Sequence, residues 1–368
     1  MHVRYSYLPQ QFADIDDLLE DVRSLVQSGD FTLGKELQRF EARFAELIGT
    51  RYAVGVGSGT DAIKLSLKAV GVGVGDEVIT AANTFIATAG AIHELGARPV
   101  FVDCDETMCI DPRQIEGAIT PRTKAIVPVH WTGYVADMNS ISAIAERHGL
   151  PIVEDACQAI LGSLGGQRAG TFGVTGCFSL HPLKNLNVWG DGGVIVTNSE
   201  ADARKLRLLR NHGMKNRDEI ELLGFNSRLD TLHAVVGNWL IGQTESITAR
   251  RIENAHYYDE AFRDISALTI PERPSNMRIV YHLYMVMAER RDALLHHCQA
   301  QGIECKIHYP IPLYRQEGLR FLGYSEGDFP VSDRHASESI SFPCDQHLSA
   351  SEREYVAQTV RDFYEDAG

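Results

Sequence analysis

Residues 52–61 read Tyr52-Ala-Val-Gly-Val-Gly-Ser-Gly-Thr-Asp61, an apolar run joined to a glycine-rich turn, and helical apolar spacing continues from there to Val70. A strand, a turn and a helix in this order form the repeating unit of α/β proteins. Six further apolar runs of strand length begin at Glu77, Pro99, Ala125, Pro151, Gly176 and Gly193. Most of them are separated by segments that suit helices. The repetition predicts an α/β fold with a mostly parallel seven-stranded sheet covered by helices on both faces.

The pattern changes near Asp230, where a long helical stretch with few breakers runs to about Phe262. The other expected elements are two helices joined through Gly34 within residues 12–48, strands over Val280–Val286 and Cys305–His308, a helix over residues 288–301 and a closing helix over residues 350–364. A chain of 368 residues is long enough for two or three cores. We predict a large domain over residues 1–235, followed by a linking helix and a smaller α/β domain over residues 236–368.

The composition excludes several classes of protein. A net charge of −14 argues against a surface that binds phosphate backbones, so we expect no nucleic-acid partner. No stretch approaches the roughly 18 to 20 consecutive apolar residues of a membrane span, and the first residues lack a signal pattern. Seven cysteines without a CxxC pair favour reduced thiols over disulfides or a metal site. We therefore expect a cytoplasmic protein with neither a membrane partner nor a metal.

Ligands of such sheets bind beyond the carboxyl ends of the strands, which draws attention to the turn Gly57-Ser-Gly-Thr-Asp61. A helix amino terminus presents free N–H groups and suits a phosphate. A plain tight turn capped by Ser58 or Thr60 is an equally good explanation of this feature alone. A dinucleotide site is disfavoured, because Thr60 stands where the G-x-G-x-x-G pattern needs its last glycine.

The strand at Pro151-Ile-Val-Glu-Asp-Ala-Cys-Gln158 ends in two carboxylates. A carboxylate facing a ligand crevice is costly unless a cation or a proton-sharing group accompanies it, and a protonated pyridine nitrogen is such a group. Capping of a following helix by Asp155 is the commoner role of an aspartate at a strand end. Taken alone, this segment favours the cap.

The segment from Gly176 to Gly193 decides between these alternatives. It places Lys184 five positions after Ser179 and just before a glycine-rich run that opens the next strand. A lysine that forms a Schiff base must be held at a strand end, with neighbours that allow it to lose its charge. The company of Ser179, Asp155 and the glycines argues against a solvent-facing loop lysine.

In this order and spacing the segments resemble the DegT/DnrJ/StrS sugar aminotransferases, a family of fold type I pyridoxal-phosphate enzymes. The resemblance covers nearly the whole chain. The matching segments are Ser28–Gly34, Val56–Asp61, Asn83–Ala87, Val129–His130, Glu154–Ala159, the Lys184 segment, Gly224–Asp230 and His308–Pro312.

The resemblance implies a cofactor, pyridoxal 5′-phosphate, and a role for each matching position. Lys184 corresponds to the lysine that holds the cofactor covalently, and Asp155 to the carboxylate paired with the pyridine nitrogen. Gln158 corresponds to a contact of the ring hydroxyl, and Phe85 to the aromatic residue that stacks on the ring.

Phosphate contacts are implied for Gly59, Thr60 and Ser179. Asn226 corresponds to an asparagine that reaches the phosphate of the neighbouring subunit's cofactor, which implies a homodimer with shared active sites. The resemblance also places substrate-side residues at His181, His308 and Tyr309. The sequence departs from the commonest family pattern at Trp131 and at Leu180-His-Pro-Leu183, both expected near the sugar.

The reaction implied by the resemblance moves an amino group from L-glutamate to a keto sugar, expected to be a nucleotide-linked 3-keto or 4-keto deoxysugar, with Lys184 shuttling the proton. A dehydratase of the same family ranks second, but such enzymes replace the lysine by histidine. A nicotinamide-dependent sugar dehydrogenase would need a glycine fingerprint that the chain lacks. A regulatory protein that binds the cofactor without turnover is the remaining alternative.

Overall fold

The protein is described by a computed structural model that covers residues 1–365. Its strands are β1 Tyr52–Val56, β2 Glu77–Ala81, β3 Arg98–Val102, β4 Thr123–Val127, β5 Val153–Asp155, β6 Ser163–Leu164, β7 Gln167–Arg168, β8 Thr175–Ser179, β9 Gly193–Thr197, β10 Leu268–Thr269, β11 Met277–Arg278, β12 Tyr284–Ala288 and β13 Ser339–Phe342. Its α-helices are α1 Leu8–Gln11, α2 Asp16–Ser28, α3 Lys35–Ile48, α4 Gly59–Ala69, α5 Ile86–His93, α6 Pro112–Ala118, α7 Met138–His148, α8 Glu200–Leu209, α9 Thr231–Leu240, α10 Thr244–Phe262, α11 Arg291–Ala300, α12 Pro330–Glu338 and α13 Ala350–Glu365. None of these helices combines the length and the apolar character that crossing a membrane requires.

The seven apolar runs of the first half all form strands of one large sheet. Four pair in the order β1-β9-β8-β5 and three in the order β3-β2-β4. Parallel bridges from Ile126 to Ile152 and from Val129 to Asp155 join the two sets. Strand β9 is antiparallel to both of its neighbours, whereas the other pairs are parallel. The predicted α/β fold with a mostly parallel sheet is confirmed.

Side-chain caps fix where the helices leave this sheet. Ser58 Oγ accepts a hydrogen bond from the Asp61 N–H at 3.0 Å and so begins α4 directly after β1. Ser199 caps α8 in the same manner. Each cap stabilises its helix by about 1 kcal/mol. The cap at Ser58 sets the first turn of α4 at the carboxyl end of the sheet, where ligands of this architecture bind.

The second half contains a small antiparallel sheet in the order β10-β12-β13. The predicted strand Val280–Val286 is wrong in its first half, because Tyr281 has a φ of 46° and the extended strand begins only at Tyr284. The predicted strand Cys305–His308 is also wrong. It makes a single bridge, from Lys306 to Ser341. Two prolines follow shortly afterwards, and proline lacks the N–H donor that a strand ladder needs.

The helical elements of this half are close to those predicted. The stretch from Asp230 to Phe262 is divided into α9 and α10 by a short 3-10 turn at Ile241–Gln243, and the closing helix is α13. The division into domains at residue 235 remains a proposal, and it would fall inside α9 rather than in a loop.

The first seven residues lie across both halves of the chain. Val3 bridges Ile303, and the backbone N–H of Tyr5 donates to Glu304 at 2.9 Å. The Tyr7 hydroxyl then donates to the backbone carbonyl of Lys184 at 3.1 Å. This amino-terminal segment therefore connects the second half of the chain to the loop that carries Lys184.

Candidate active site

Ten of the eleven predicted site residues line one cavity at the carboxyl ends of the central strands. They are Gly59, Thr60, Phe85, Asp155, Gln158, Ser179, His181, Lys184, His308 and Tyr309. Segments distant in sequence thus meet at one place, as the strand-end rule predicts. The eleventh residue, Asn226, is exposed and does not line this cavity.

The start of α4 is packed so closely that only glycine fits at position 59. A Cβ on Gly59 would lie 2.8 Å from Ser179 Cβ and 2.9 Å from Cys157 Sγ. The first helical turn is therefore pressed against the ends of β5 and β8. The first N–H groups of a helix have no acceptor within the helix, so this turn offers donors to an anion.

Asp155 ends β5 as a buried carboxylate with neutral partners. Its Oδ2 accepts from Thr88 Oγ1 at 2.7 Å, and its Oδ1 accepts from the Cys157 N–H at 3.2 Å. Capping does not explain it, because turns follow β5 and the next α-helix after it in the described chain is α8. A buried anion held only by neutral donors suits a cationic ligand.

Lys184 presents its amine to the same cavity. Burial lowers the pKa of this amine, and Cys157 and Asp155 oppose the shift. Its Nζ lies 3.4 Å from Nε2 of His282. Its carbonyl accepts from the Tyr7 hydroxyl and from Asn187 Nδ2, which fixes the backbone of the loop. A lysine held in this way is a nucleophile and base closer to neutral pH than an exposed one.

Phe85 lies between β2 and α5, and Gln158 lies in the turn after β5. Phe85 precedes α5 and is 51% exposed, although it is a large aromatic residue beside a deep cavity. Its ring centroid is 6.0 Å from that of Tyr309. Gln158 Oε1 accepts from the Thr132 N–H at 2.8 Å, which fixes the orientation of the amide. An exposed aromatic face in a cavity is suited to stacking on a planar ligand.

The residues that the sequence predicts on the substrate side come from two loops. His308 bonds Ser341 Oγ through Nδ1 at 3.0 Å, and burial together with Lys306 and Lys184 lowers the pKa of His308 to about 4. Burial raises the pKa of Tyr309 to about 12. Both side chains are therefore neutral at pH 7. His181 lies at the exposed edge, and its backbone N–H donates to Ser179 Oγ at 3.2 Å.

Two residues noted in the sequence are buried and do not line the cavity. Trp131 is fully buried outside the cavity lining, and its ring packs against that of Tyr309 with the two ring centroids 5.9 Å apart. His130 is also fully buried and contacts Glu154 through Nε2 at 2.9 Å. Neither side chain is placed to touch a sugar directly.

The sequence analysis missed several residues of the cavity wall, namely Tyr5, Tyr7, Arg251 and His282. The two tyrosines belong to the amino-terminal segment, and no local pattern marks them. Arg251 is 3% exposed, with its guanidinium 5.0 Å from the centre of the Tyr7 ring. A histidine within the apolar run Val280 to Val286 was the available signal for His282, because an imidazole in such a run needs a polar partner.

The Lys184 amine, the buried Asp155 carboxylate and the glycine-bounded start of α4 meet at the end of a mostly parallel sheet, and together they are the groups that a pyridoxal-phosphate enzyme needs. The chain belongs to the DegT/DnrJ/EryC1/StrS aminotransferase family, whose family model matches residues 13–361.

Two similar proteins carry names of different kinds, one regulatory and one enzymatic. The chain is 39% identical to a "Pleiotropic regulatory protein" of Geobacillus stearothermophilus, over 99% of either chain. It is 40% identical to the UDP-N-acetyl-3-dehydro-alpha-D-glucosamine 3-aminotransferase of Acidithiobacillus ferrooxidans, covering 94% of this chain and 93% of the relative.

Solved structures agree with this assignment. The crystal structure of DesV from S. venezuelae superposes with a TM-score of 0.97 at 37% identity, covering 99% of both chains. NtdA from Bacillus subtilis, solved with bound cofactor PMP, gives a TM-score of 0.91 at 30% identity, covering 99% of this chain and 85% of NtdA. The predicted family, fold, aminotransferase activity and pyridoxal-phosphate cofactor are confirmed.

The residues of the cavity fit this cofactor. The carboxylate of Asp155 has only neutral partners and so has room for a cationic ring nitrogen. The glycine at position 59 leaves the first N–H groups of α4 open to a phosphate, and the Lys184 amine faces the same space.

Proposed function

We propose that the chain transfers an amino group from L-glutamate to a keto sugar carried by a nucleoside diphosphate, most simply a 3-keto or 4-keto deoxysugar. The observation that carries the proposal is the amine of Lys184, held with a lowered pKa in the cavity that also contains the Asp155 carboxylate. The name of the A. ferrooxidans relative, which includes a UDP-linked 3-dehydro sugar, supports the substrate class.

When bound, pyridoxal phosphate supplies the carbonyl carbon that carries the amino group and an electron-withdrawing ring. The protein supplies position and charge. We propose that Lys184 binds the cofactor covalently and that Asp155 keeps the ring nitrogen protonated, since an ionised carboxylate stabilises an adjacent cation. Phe85 stacks on the ring, and Gln158, whose carbonyl is already used by Thr132, offers its amide N–H to the ring hydroxyl.

We assign the phosphate to the first turn of α4, with Gly59, Thr60 and Ser179 as its contacts. The close packing of Gly59 against Ser179 brings the helix N–H groups and the serine hydroxyl to one spot. A phosphate at a helix amino terminus is held by N–H donors and by the helix dipole.

Lys184 is the proposed acid and base of the reaction. Released from the cofactor by the incoming donor amine, its neutral Nζ takes the proton from the Cα of glutamate. The lowered pKa matters here, because an ordinary lysine is almost fully protonated at pH 7. The same amine acts in reverse when the sugar is bound. Separate binding of donor and acceptor predicts ping-pong kinetics.

The sugar is assigned to the side of the cavity formed by His181, His308 and Tyr309. Because His308 and Tyr309 are neutral, each can donate a hydrogen bond to a sugar hydroxyl and accept one from it. Tyr309 also narrows the space opposite Phe85, since their ring centroids are 6.0 Å apart.

We further propose a homodimer in which Asn226 reaches the phosphate of the partner's cofactor. Asn226 is exposed, although its neighbour Ser227 is buried against the glycine turn, where it accepts from the Gly57 N–H at 3.1 Å and donates to Asp61. Mixing Lys184→Ala and Asn226→Ala subunits tests the shared site. A mixed dimer carries both lesions in one site and none in the other, so two inactive variants should recover activity together. Absence of recovery despite subunit exchange would show that the sites are separate.

The seven cysteines are free thiols, and six of them are buried. Free thiols persist in reducing compartments, which supports a cytoplasmic location. Cell fractionation with an antibody to the protein would test it.

An absorption spectrum recorded before and after addition of L-glutamate tests the central proposal. The protein should show the band of lysine-bound cofactor, and glutamate should convert it to the band of the aminated cofactor. Lys184→Ala should lack the first band. Lys68→Ala is the matched control, because Lys68 is an exposed lysine at the far end of α4 and its loss should leave the spectrum unchanged.

Other outcomes point to the alternatives. A band that glutamate does not alter would exclude glutamate as the donor and favour a dehydratase or another donor. If the protein binds the cofactor but transfers no amino group to any keto sugar tested, a regulatory role would be favoured.

A further inference from the structure

His282 lies within hydrogen-bond distance of the Lys184 amine, and none of the roles proposed above includes it. It lies in the irregular segment Val280–Leu283 between β11 and β12. Its Nε2 is 3.4 Å from Lys184 Nζ, within hydrogen-bond distance. Within residues 1–365, its Nδ1 is a buried atom without a hydrogen-bond partner. Among the described residues, the Lys184 amine is therefore the hydrogen-bond partner of the imidazole.

The backbone that carries His282 is held on the side of the large sheet. The Val280 N–H donates to the Gly133 carbonyl at 3.1 Å, and the Leu283 N–H donates to the Thr132 carbonyl at 3.2 Å. The approach is close enough that a Cβ on Gly133 would lie 2.6 Å from the backbone nitrogen of Tyr281.

The same segment is held from two further directions. Asn185, the neighbour of Lys184, donates through Nδ2 to the Val280 carbonyl at 3.1 Å. Arg251 Nη1 donates to the carbonyls of Tyr281 and His282 at 3.3 and 3.4 Å. Tyr281 adopts a positive φ of 46°, which a tyrosine avoids unless its surroundings impose it. The position of the imidazole is thus built by several elements rather than left to a loose loop.

The charges around His282 keep it neutral. Burial lowers the pKa of His282 well below its usual range, and four basic groups, Lys184, Arg251, His308 and His181, act in the same direction. A neutral imidazole has one nitrogen that accepts a hydrogen bond and one that donates. Nε2 of His282 accepts only in the tautomer that carries its proton on Nδ1, and an ammonium on Lys184 selects this tautomer because an ammonium can only donate.

We propose that His282 is a catalytic residue of the transamination, whose Nε2 accepts a hydrogen bond from the Lys184 amine whenever that amine is free of the cofactor. This inference rests on the function proposed above. The hydrogen bond uses an N–H of the amine and leaves its lone pair available for the Cα proton of the donor. When that proton moves, the C–H bond breaks, its electron pair passes to the electron-withdrawing system, and Lys184 becomes an ammonium that still donates to Nε2. His282 gains and loses no proton.

The first test is made on the protein without cofactor, by NMR titration of the labelled Lys184 side chain. His282→Leu removes the acceptor that stabilises the ammonium, so the amine pKa should fall by about 1–2 units, the equivalent of a hydrogen bond to a charged group. His282→Gln restores an acceptor and should recover part of the shift. An unchanged amine pKa in His282→Leu would overturn the proposal.

A matched control is His335→Leu. His335 is also a buried histidine whose Nδ1 lacks a partner among the described residues, but it lies in α12, outside the cavity lining. Its replacement should leave the Lys184 amine pKa unchanged. A fall as large as that of His282→Leu would show a general effect of losing a buried imidazole and would refute the specific contact.

A second readout follows the exchange of the glutamate Cα–H with deuterated solvent on the loaded enzyme. His282→Leu should slow this exchange by about tenfold or more with little change in the KM for glutamate, because the proton transfer and not binding is affected. Equal exchange rates would overturn the proposal. A wild type that exchanges no glutamate proton would instead refute the transamination itself, whereas the amine titration would still report on His282.

If His282→Leu does not fold, the wild type decides the question. The Nε2 resonance of His282 should move on Lys184→Ala substitution, since its hydrogen-bond donor is removed. An Nε2 resonance that is the same in both proteins would refute the contact.

Discussion

Glu154→Gln should destabilise the protein by several kcal/mol, although it exchanges one oxygen for an NH2 group. Glu154 is fully buried. Its Oε1 accepts from the backbone N–H groups of Phe172 at 2.7 Å and Gly173 at 2.6 Å. Its Oε2 accepts from the Gly170 N–H at 2.7 Å and contacts His130 Nε2 at 2.9 Å. Four donors therefore converge on one carboxylate.

The tautomer of His130 fixes the direction of its hydrogen bond to Glu154. His130 Nδ1 accepts from the Ala136 N–H at 3.1 Å, so the ring proton lies on Nε2 and must be donated to Glu154. A glutamine has one acceptor oxygen, and in either orientation its NH2 group faces two donors. A buried donor without an acceptor costs about 1–3 kcal/mol, so two of them cost about 2–6 kcal/mol. A typical total stability is about 5–15 kcal/mol.

Equilibrium urea unfolding of the cofactor-free protein measures the loss, and hydrogen exchange should show faster exchange of the amides of residues 170–173. Glu146→Gln is the control. Glu146 is exposed on α7, and the same change of charge there should alter stability by no more than about 0.5 kcal/mol. A loss below about 1 kcal/mol for Glu154→Gln, with unchanged exchange of those amides, would refute the reasoning.

Three further substitutions probe the packing at Gly59, the pH dependence of stability and the proposed sugar-binding side of the cavity. Gly59→Ala should weaken cofactor affinity at least tenfold, because the new methyl group pushes α4 off Ser179, whereas Gly90→Ala in α5, with nothing within 4 Å, should not; equal affinities in an equilibrium dialysis would contradict the packing argument. Burial lowers the pKa of His335 to about 4, so the unfolded chain binds more protons between pH 6.5 and 4 and stability falls as the pH falls through this range. His335→Leu should reduce that slope in urea titrations by about one proton, and an unchanged slope would refute the assignment. Trp131→Leu removes the support beneath Tyr309 and should raise the KM for the sugar while leaving the glutamate half-reaction within about twofold; an equal effect on both halves would place Trp131 in a different role.

The large sheet was predictable because its strands carry their own signal. Strands β2 and β9 are buried at every position, and the apolar residues Val78–Ile79 and Val194–Val196 mark them in the sequence. The segment Val280–Leu283 is apolar except for His282, and it is not a strand. The N–H groups of Val280 and Leu283 donate to carbonyls of the loop Thr132–Gly133, which lies about 150 residues earlier in the sequence, and no local pattern reports such a partner.

The same distinction applies to the site. Lys184 and Asp155 follow strands of the predicted sheet, and the strand-end rule together with the family resemblance singles them out. Tyr7 and Arg251 reach the cavity from the amino-terminal segment and from α10, and their positions depend on how distant parts of the chain pack. Trp131 was expected near the sugar, but its indole is fully buried. It lies in the same loop as Gly133, which packs closely against Tyr281.

The order of strands in the large sheet has a consequence for synthesis on the ribosome. Among residues 1–365, strand β1 pairs only with β9, and Val56 must wait for Gly193 before its ladder closes. The nascent chain therefore carries an unpaired β1, and an unfinished start of α4, while more than a third of the protein is translated. Pairing over such a separation is slow and leaves apolar surface open to aggregation in the meantime. Expression at reduced temperature or with added chaperones should raise the soluble yield. The proposed cofactor pocket, which draws residues from Gly59 to Tyr309, can form only late in synthesis.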